Sequence, residues 1–283
     1  MNNRIVVGVS GKPSGDSALN WALDFASAHH TDVELVHVVD DRWTTLTKSL
    51  TGTALLDAEH ELRMRAEQAS AKHADLRIHP TVLEGSPVDS LVERADGSDL
   101  LVIGSHSLGR FEGLVFSTRS AHIAALATVS VAVVKHGNEA SGTGVVVGVD
   151  GSASSVAAVE FAAKEADRLG QSLTAVYAWQ ALAPWRKEVD EYEHPDPTDS
   201  DRLVLSEALA GLAEEYPDLV VTPRLSRTLP VDALLTASTG ARLLVVGTHG
   251  RHSTGKMWLG SVSHELVLAL PCTMVVVRSQ TVA

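Results

Sequence analysis

The sequence is poor in cysteine, with Cys272 alone among 283 residues. A single thiol excludes an internal disulfide framework. Because Cys272 lies in the largely apolar run Cys272–Val277, we expect a buried structural thiol rather than a reactive nucleophile. No stretch reaches about 18 consecutive apolar residues, so no membrane-spanning helix is predicted. The segment Met1–Gly8 shows no secretory signal pattern, and we therefore expect a cytoplasmic protein that does not associate with membranes.

Basic residues are also scarce, with 23 Lys and Arg against 35 Asp and Glu and a formal net charge of −12. Nonspecific binding to nucleic acid requires a basic face, so we expect no nucleic-acid partner. The 13 histidines form no set with metal-ligand spacing, and no Ser-His-Asp or Cys-His arrangement is apparent. The sequence therefore predicts no metal site, no catalytic residues and no efficient enzyme.

The chain carries an internal repeat. Arg4–Gly11 matches Gly144–Gly151 at an offset of 140 positions, and Leu100–His106 matches Leu243–His249 at an offset of 143. Self-similarity of this kind indicates repeated structural units. Two units of about 140 residues each fit the common size of a domain.

A short polar segment, His136–Thr143, separates the two copies and contains two glycines, as is typical of a linker. We therefore predict an N-terminal domain over residues 1–137 and a C-terminal domain over residues 144–283. The segments Asp40–Thr53 and Gln180–Ser200 interrupt the alternation of strands and helices in each copy, and we expect surface loops there. Pro87 and Pro230 are each predicted to open a helix, where a missing N–H costs little.

Short apolar runs alternate with helical periods in each copy. The predicted strands of the first copy are Ile5–Val9, Val33–Val39, Arg77–Leu83, Leu100–Ile103 and Val129–Val134. Continuous apolar runs are typical of strands that are buried on both faces of a parallel sheet. The order of elements predicts α/β architecture, with two tandem, doubly wound, five-stranded Rossmann-like sheets. Because Val129–Val134 and Cys272–Val277 are too apolar for free edges, we expect them to lie side by side in a pseudo-dimer.

A glycine pattern follows the fourth strand of the second copy: Gly247, two residues, Gly250, nine residues, then Gly260-Ser261. Gly247 allows the backbone to approach a ligand without a Cβ, and Gly250 is predicted to take a positive φ in a loop that forms an anion nest. Gly260-Ser261 opens the next helix, whose free N–H groups and dipole favour phosphate. Arg251 adds positive charge to this loop.

Together with the strand and turn Val145–Ser152, this motif resembles the ATP-binding branch of the universal stress protein family in its tandem two-domain form. The resemblance covers essentially the whole chain. It implies that Gly148 and Asp150 face adenosine, that the backbone near Ala178 contacts adenine, and that Val262 and Ser263 continue the phosphate-binding helix. The predicted nucleotide-binding residues are Gly148, Asp150, Ala178, Gly247, Thr248, His249, Gly250, Arg251, Gly260, Ser261, Val262 and Ser263.

Two of these residues have simpler interpretations. Asp150 follows a strand and precedes a helix, a place where aspartate commonly serves as the N-cap. His249 either contacts phosphate or is an ordinary solvent-facing histidine of the loop.

The first copy departs from the motif although it keeps Gly104. Ser10 stands where the second copy has Asp150, and Ser107 and Ser117 replace Gly250 and Gly260. A Cβ at either glycine position narrows the loop or penalises a positive φ. We expect the first copy to have a weak or empty site and to act mainly as a packing partner.

The sequence therefore predicts an ATP-binding regulatory protein of the stress response, with one nucleotide per chain in the C-terminal copy. ATP is the expected cofactor, with or without Mg²⁺. The sequence is compatible with a homodimer or higher self-association, and an unidentified protein partner is expected. Two alternatives stay open: a slow ATPase or nucleotidyl transferase, and an interaction module whose sites are empty.

Overall fold

The structure of the protein is a computed structural model, which describes residues 3–11, 13–40, 48–105, 118–137, 142–179, 198–250 and 259–279, with the backbone alone for residues 48–54. Strands and helices alternate through both copies. The elements of the first copy are β1 (Arg4–Gly8), α1 (Pro13–His29), β2 (Asp32–Val39), α2 (Lys48–Lys72), β3 (Ile78–Glu84), α3 (Pro87–Ala95), β4 (Leu100–Gly104), α4 (Thr118–Leu126) and β5 (Ser130–Val134). Those of the second copy are β6 (Val145–Val149), α5 (Ala153–Arg168), β7 (Leu173–Ala178), α6 (Asp199–Ala208), α7 (Leu212–Glu215), β8 (Val221–Ser226), α8 (Pro230–Ala237), β9 (Leu243–Gly247), α9 (Ser261–Ala269) and β10 (Met274–Val277).

All the strands above join one ten-stranded sheet in the order β3-β2-β1-β4-β5-β10-β9-β6-β7-β8. Within each copy the neighbouring strands are parallel. The order reverses between β1 and β4 and between β6 and β9, which opens a crevice beyond the carboxyl ends of those strands. The predicted doubly wound fold is confirmed.

The copies join through β5 and β10, which pair antiparallel with Val131 opposite Val276 and Val133 opposite Met274. Each of these four side chains is at most 1% exposed, because helices cover both faces of the sheet. Burial of such a pair of apolar strands stabilises the joint and removes two edges that would otherwise invite aggregation. The predicted side-by-side arrangement of the last strands is therefore confirmed.

Two cations bind across this joint, one from each copy to carbonyl groups of the other. The Lys135 ammonium, just after β5, donates to the carbonyl oxygen of Pro271 at 2.7 Å, beyond the end of α9. The Arg278 guanidinium, just after β10, donates to the carbonyl oxygens of Ala124 and Ala125 near the end of α4, at 3.3 and 3.0 Å. The Ala124 and Ala125 carbonyls lie in the last turn of α4, where carbonyl groups lack intrahelical donors and carry partial negative charge. Each cation thus satisfies carbonyl groups of the other copy.

Helices α1 and α5 form a second contact between the copies, and this contact is not symmetric. The ring of Phe25 stacks on that of Phe161, with centroids 6.2 Å apart. His29 Nε2 lies 3.1 Å from Glu165 Oε1, close enough for an ion pair although the angles do not satisfy a hydrogen bond. Arg168 donates to Glu165 Oε2 at 2.7 Å. Burial by itself raises the pKa of Glu165, but His29 and Arg168 outweigh burial and hold that pKa below its usual value.

The predicted helix starts at Pro87 and Pro230 are confirmed, since each proline lies in the first turn of its helix. Cys272 is fully buried, as expected. Burial raises the pKa of its thiol to about 12. Among the described residues, no helix is long and apolar enough to cross a membrane.

Two predicted loops are shorter than expected, because the last residues of each are helical. Helix α2 begins at Lys48, so the loop prediction is wrong for Lys48–Thr53. Glycine and threonine are poor helix formers, but a turn adjoining a long helix forms without a new nucleation cost. In the second copy, Thr198 caps α6 with its hydroxyl, so Asp199 and Ser200 are already helical. Residues 41–47 and 180–197 lie outside the described part of the chain.

Candidate functional site

A cleft of about 610 Å³ lies at the carboxyl ends of β6, β7 and β9, where the strand order of the second copy reverses. The starts of α8 and α9 form its opposite wall. The described lining residues are Gly148, Val149, Asp150, Ser155, Val176, Tyr177, Ala178, Pro230, Leu234, Val246, Gly247, His249, Gly250, Leu259, Gly260, Ser261, Val262 and Ser263. A volume of this size is typical of a small-molecule site.

The cleft has an apolar part and a polar part. Val176, Leu234 and Val246 supply aliphatic surface, which suits a flat heterocycle. The start of α9 supplies backbone N–H groups, and Asp150 is the only carboxylate among the described lining residues. Nowhere in the described ranges do three or more His, Cys, Asp or Glu side chains form a potential metal-binding group.

Asp150 uses one carboxylate oxygen for the turn after β6, where its Oδ1 accepts from the Ser152 N–H at 2.9 Å. The N-cap of α5 is Ser152, whose hydroxyl accepts from the Ser155 N–H, so the capping interpretation of Asp150 is wrong. The second oxygen, Oδ2, accepts no hydrogen bond from any described residue and lies beside Gly250. A Cβ added at Gly250 would stand 2.8 Å from it. Asp150 is thus both a structural part of the turn and a free acceptor at the cleft.

Gly247 and Gly104 are required by space rather than by unusual dihedral angles. Gly250 does not adopt a φ in the left-handed region, so the prediction of a positive φ is wrong. A Cβ at Gly250 would crowd Asp150 Oδ2, which lies at the end of a side chain and can shift. A Cβ at Gly247 would meet the Ser154 hydroxyl at 2.7 Å. Gly104 likewise packs against the Ser14 carbonyl in the first copy. Packing of strand against helix therefore explains why both copies keep this glycine.

Helix α9 begins as predicted, with Gly260 as an extended N-cap and no side-chain cap from any described residue. The Gly260 N–H donates to the Thr248 carbonyl oxygen at 2.8 Å, which closes the loop. The N–H groups of Ser261, Val262 and Ser263 have no partner within the helix, because the first turn always lacks acceptors. These three donors and the positive end of the helix dipole favour an anion, so this helix start is a candidate anion site.

The remaining predicted residues differ in their placement. Gly148 and Ala178 line the cleft at the ends of β6 and β7. Thr248 is 3% exposed and does not line the described cleft; its N–H donates to the Val277 carbonyl oxygen on β10 at 3.1 Å. The Ser263 hydroxyl is already engaged, since it donates to the Gly247 carbonyl oxygen at 2.7 Å. Arg251 lies outside the described residues.

His249 lines the cleft, and its ring Nε2 is buried without a hydrogen-bond partner among the described residues. A buried polar nitrogen is costly unless a hydrogen-bond partner completes it, so this ring is a candidate contact for a ligand in the cleft. Its contact with phosphate stays a prediction. The His249 carbonyl oxygen accepts from two hydroxyls of the neighbouring turn, Ser152 at 3.1 Å and Ser154 at 2.5 Å.

These serines were not predicted as site residues. The Ser155 hydroxyl also belongs to the set, because it accepts from the Asp150 and Gly151 N–H groups at 3.4 and 3.1 Å. The repeat contains a signal for Ser155, since Gly15 takes its place in the first copy at the offset of 140 positions. Comparison of the two copies over the whole turn, and not just its aspartate, would have found it.

The first copy has a different arrangement around Ser10. The Arg65 guanidinium reaches the Ser10 carbonyl oxygen at 3.4 Å and pairs with Asp16 and Glu61, each at 2.9 Å. A Cβ at Gly15 would overlap the Ser10 backbone, so α1 starts closer to its turn than α5 does. Ser107 and Ser117 lie outside the described residues. This turn lacks the carboxylate that marks the second copy and is bound instead to α2.

The fold and the cleft define a tandem, doubly wound α/β protein with a candidate anion site at a helix N-terminus. The model of the universal stress protein family matches residues 1–135 and 143–278, so the chain belongs to that family. A universal stress protein of Mycolicibacterium smegmatis is 30% identical over 285 residues, covering 97% of this chain and 96% of the relative. One from Mycobacterium tuberculosis is 29% identical over 296 residues, covering 98% and 96%.

A solved structure has the same fold over the full length. The crystal structure of a universal stress protein from Archaeoglobus fulgidus superposes with a TM-score of 0.73 at 17% identity, covering 98% of this chain and 99% of that one. The tandem arrangement is thus found in a solved relative of this family.

Proposed function

We propose that this chain is a regulatory protein that binds ATP in its C-terminal copy and does not turn it over efficiently. One observation carries the proposal: the uncapped start of α9 and the Gly250 N–H, which no described residue accepts, border the same cleft. Phosphate oxygens are the ligands that such converging donors select. The aliphatic part of the cleft would take adenine, and Asp150 Oδ2 would accept from a ribose hydroxyl.

The groups that hydrolysis would need are few in the described cleft. Asp150, Tyr177 and His249 are the titratable residues of the described lining. Asp150 is already committed to the turn through Oδ1, and the Tyr177 hydroxyl donates to Asp201. A Mg²⁺ ion would be held mainly by phosphate oxygens and water, with Asp150 as the one carboxylate within the described lining. Binding without efficient catalysis is therefore the function that this arrangement favours.

The regulatory part of the proposal rests on family membership and on the absence of a described catalytic set in the cleft. A nucleotide-dependent change in the loop around Gly250 would then be passed to a protein partner or to a second copy of the chain. We place the domain boundaries at 1–137 and 144–283 and the protein in the cytoplasm.

Mass spectrometry of the purified, denatured protein tests whether ATP co-purifies, and calorimetric titration of nucleotide-free protein gives its affinity. We expect one ATP per chain. Gly260→Val should abolish binding, because its Cβ would stand 3.2 Å from the Thr248 carbonyl oxygen and its branches would cover the first N–H groups of α9. No released nucleotide together with no titration signal would refute the proposal. Steady phosphate release that Asp150→Ala removes would favour the slow ATPase instead.

A further inference from the structure

The peptide between His249 and Gly250 is held in one orientation by the start of α5. Its carbonyl oxygen accepts from the Ser152 and Ser154 hydroxyls at 3.1 and 2.5 Å. Ser154 is 6% exposed, and its hydroxyl packs against Gly247, so it has little freedom to turn away. Two donors on one carbonyl fix the plane of this peptide.

The orientation of the carbonyl determines the orientation of the next N–H. The peptide is trans and planar, so the Gly250 N–H points away from the side on which Ser152 and Ser154 lie. The Gly250 nitrogen stands 3.8 Å from where a Cβ of Gly260 would be, at the start of α9. No described residue accepts from this N–H. The two hydroxyls therefore present a free donor beside the free donors of α9.

A peptide that precedes glycine is also the easiest to flip, because glycine tolerates both resulting values of φ. A flip would direct the His249 carbonyl oxygen, instead of the Gly250 N–H, toward the anion site. A carbonyl oxygen repels phosphate, so one orientation accepts an anion and the other opposes it.

The first copy has lost this arrangement in its sequence. Ser14 matches Ser154, but Lys12 stands in place of Ser152, and Ser107 in place of Gly250. The second copy alone has both hydroxyl donors together with the glycine that they control.

We infer that Ser152 and Ser154 are positioning residues that lock the His249–Gly250 peptide in the anion-accepting orientation, and that they set the affinity for the phosphates rather than for the nucleoside. This inference rests on the proposed ATP site. In this inference the polar part of the cleft sets the affinity for phosphate and the aliphatic part that for the nucleoside, since these hydroxyls do not line the aliphatic part.

The test compares ATP and adenosine binding by calorimetry in the full chain. Ser154→Ala removes the shorter hydrogen bond, and the double variant Ser152→Gly/Ser154→Ala removes both while keeping a residue that serves well as an N-cap. We expect ATP to bind the double variant about tenfold more weakly, with adenosine affinity unchanged. Ser14→Ala is the matched control in the first copy, and it should change neither affinity.

Each possible result either supports or overturns the positioning role. Unchanged ATP affinity in the double variant, or an equal loss for ATP and adenosine, would overturn the positioning role. A lower melting temperature in the double variant would assign the loss to folding, and Ser152→Thr/Ser154→Ala, which restores one donor, must then recover part of the ATP affinity for the inference to stand. Failure of the wild-type chain to bind ATP would refute the proposed function as well, and that result is visible without any variant.

Discussion

The contact between His29 and Glu165 gives the sharpest test of how the two copies are held together. Glu165 is 1% exposed and His29 13% exposed, and their facing atoms are 3.1 Å apart. His29 Nδ1 bonds the Phe25 carbonyl oxygen at 2.8 Å, which holds the ring with Nε2 facing Glu165. Replacing His29 with leucine keeps most of the volume but leaves Glu165 Oε1 without its facing cation, while Arg168 still pairs with Oε2.

Because Arg168 still neutralises the carboxylate, the loss is that of one buried acceptor left unpaired, about 1–3 kcal/mol. For a chain of this size, such a loss lowers the melting temperature by roughly 2–8 °C. We therefore expect His29→Leu to show that shift in thermal unfolding followed by circular dichroism.

Two further variants make the result specific. The double variant His29→Leu/Glu165→Leu should recover most of the loss, since an apolar pair can replace a buried ion pair at little cost. Asp16→Ala removes the Asp16–Arg65 pair, which is slightly shorter at 2.9 Å, but the Asp16 side chain is 60% exposed, so we expect less than about 1 kcal/mol. A His29→Leu melting temperature within about 1 °C of wild type, or a double variant as unstable as the single one, would refute the reasoning.

Three other predictions concern the core and its titration. Because the folded pKa of Glu165 lies below 4.5, the stability that its ionised carboxylate contributes is complete above that pH and is lost as pH falls through the lower folded value. The difference in urea-unfolding free energy between wild type and Glu165→Gln should therefore shrink in acid. A constant difference would contradict this. Cys272, whose thiol has its pKa raised to about 12, should resist a disulfide reagent at about pH 8 in the native protein and react fully in urea; rapid native modification would show that the thiol is accessible. Gly104→Ala and Gly247→Ala should each destabilise the protein by about 2 kcal/mol or more in chemical denaturation, since their Cβ atoms would overlap the starts of α1 and α5; a neutral effect would mean that these helices shift easily.

The sheet was predictable from the sequence because its strands are continuous apolar runs, and such runs are uncommon outside a sheet that is covered on both faces. β9, for example, is Leu243–Gly247 and lies where the repeat places it. The start of α2 was not predictable in the same way. Its first turn contains poor helix formers, and it is helical because the residues that follow are strong ones.

The candidate site was predictable where its residues follow a fixed spacing, as Gly260 and Ser261 do at the start of α9. What escaped prediction depends on contacts between distant parts of the chain. Ser154 meets His249 from 95 positions away, and no local pattern distinguishes it from any serine that starts a helix. The dihedral angle of Gly250 also escaped prediction, since this glycine lies outside the left-handed region although a curled glycine loop suggested it.

Because β5 and β10 pair antiparallel, the strands of the two copies run in opposite directions. The carboxyl ends of the first copy's strands emerge at one edge of the sheet, and those of the second copy emerge at the opposite edge. A ligand at the start of α9 would therefore lie at the edge of the sheet opposite to the carboxyl ends of β1 and β4.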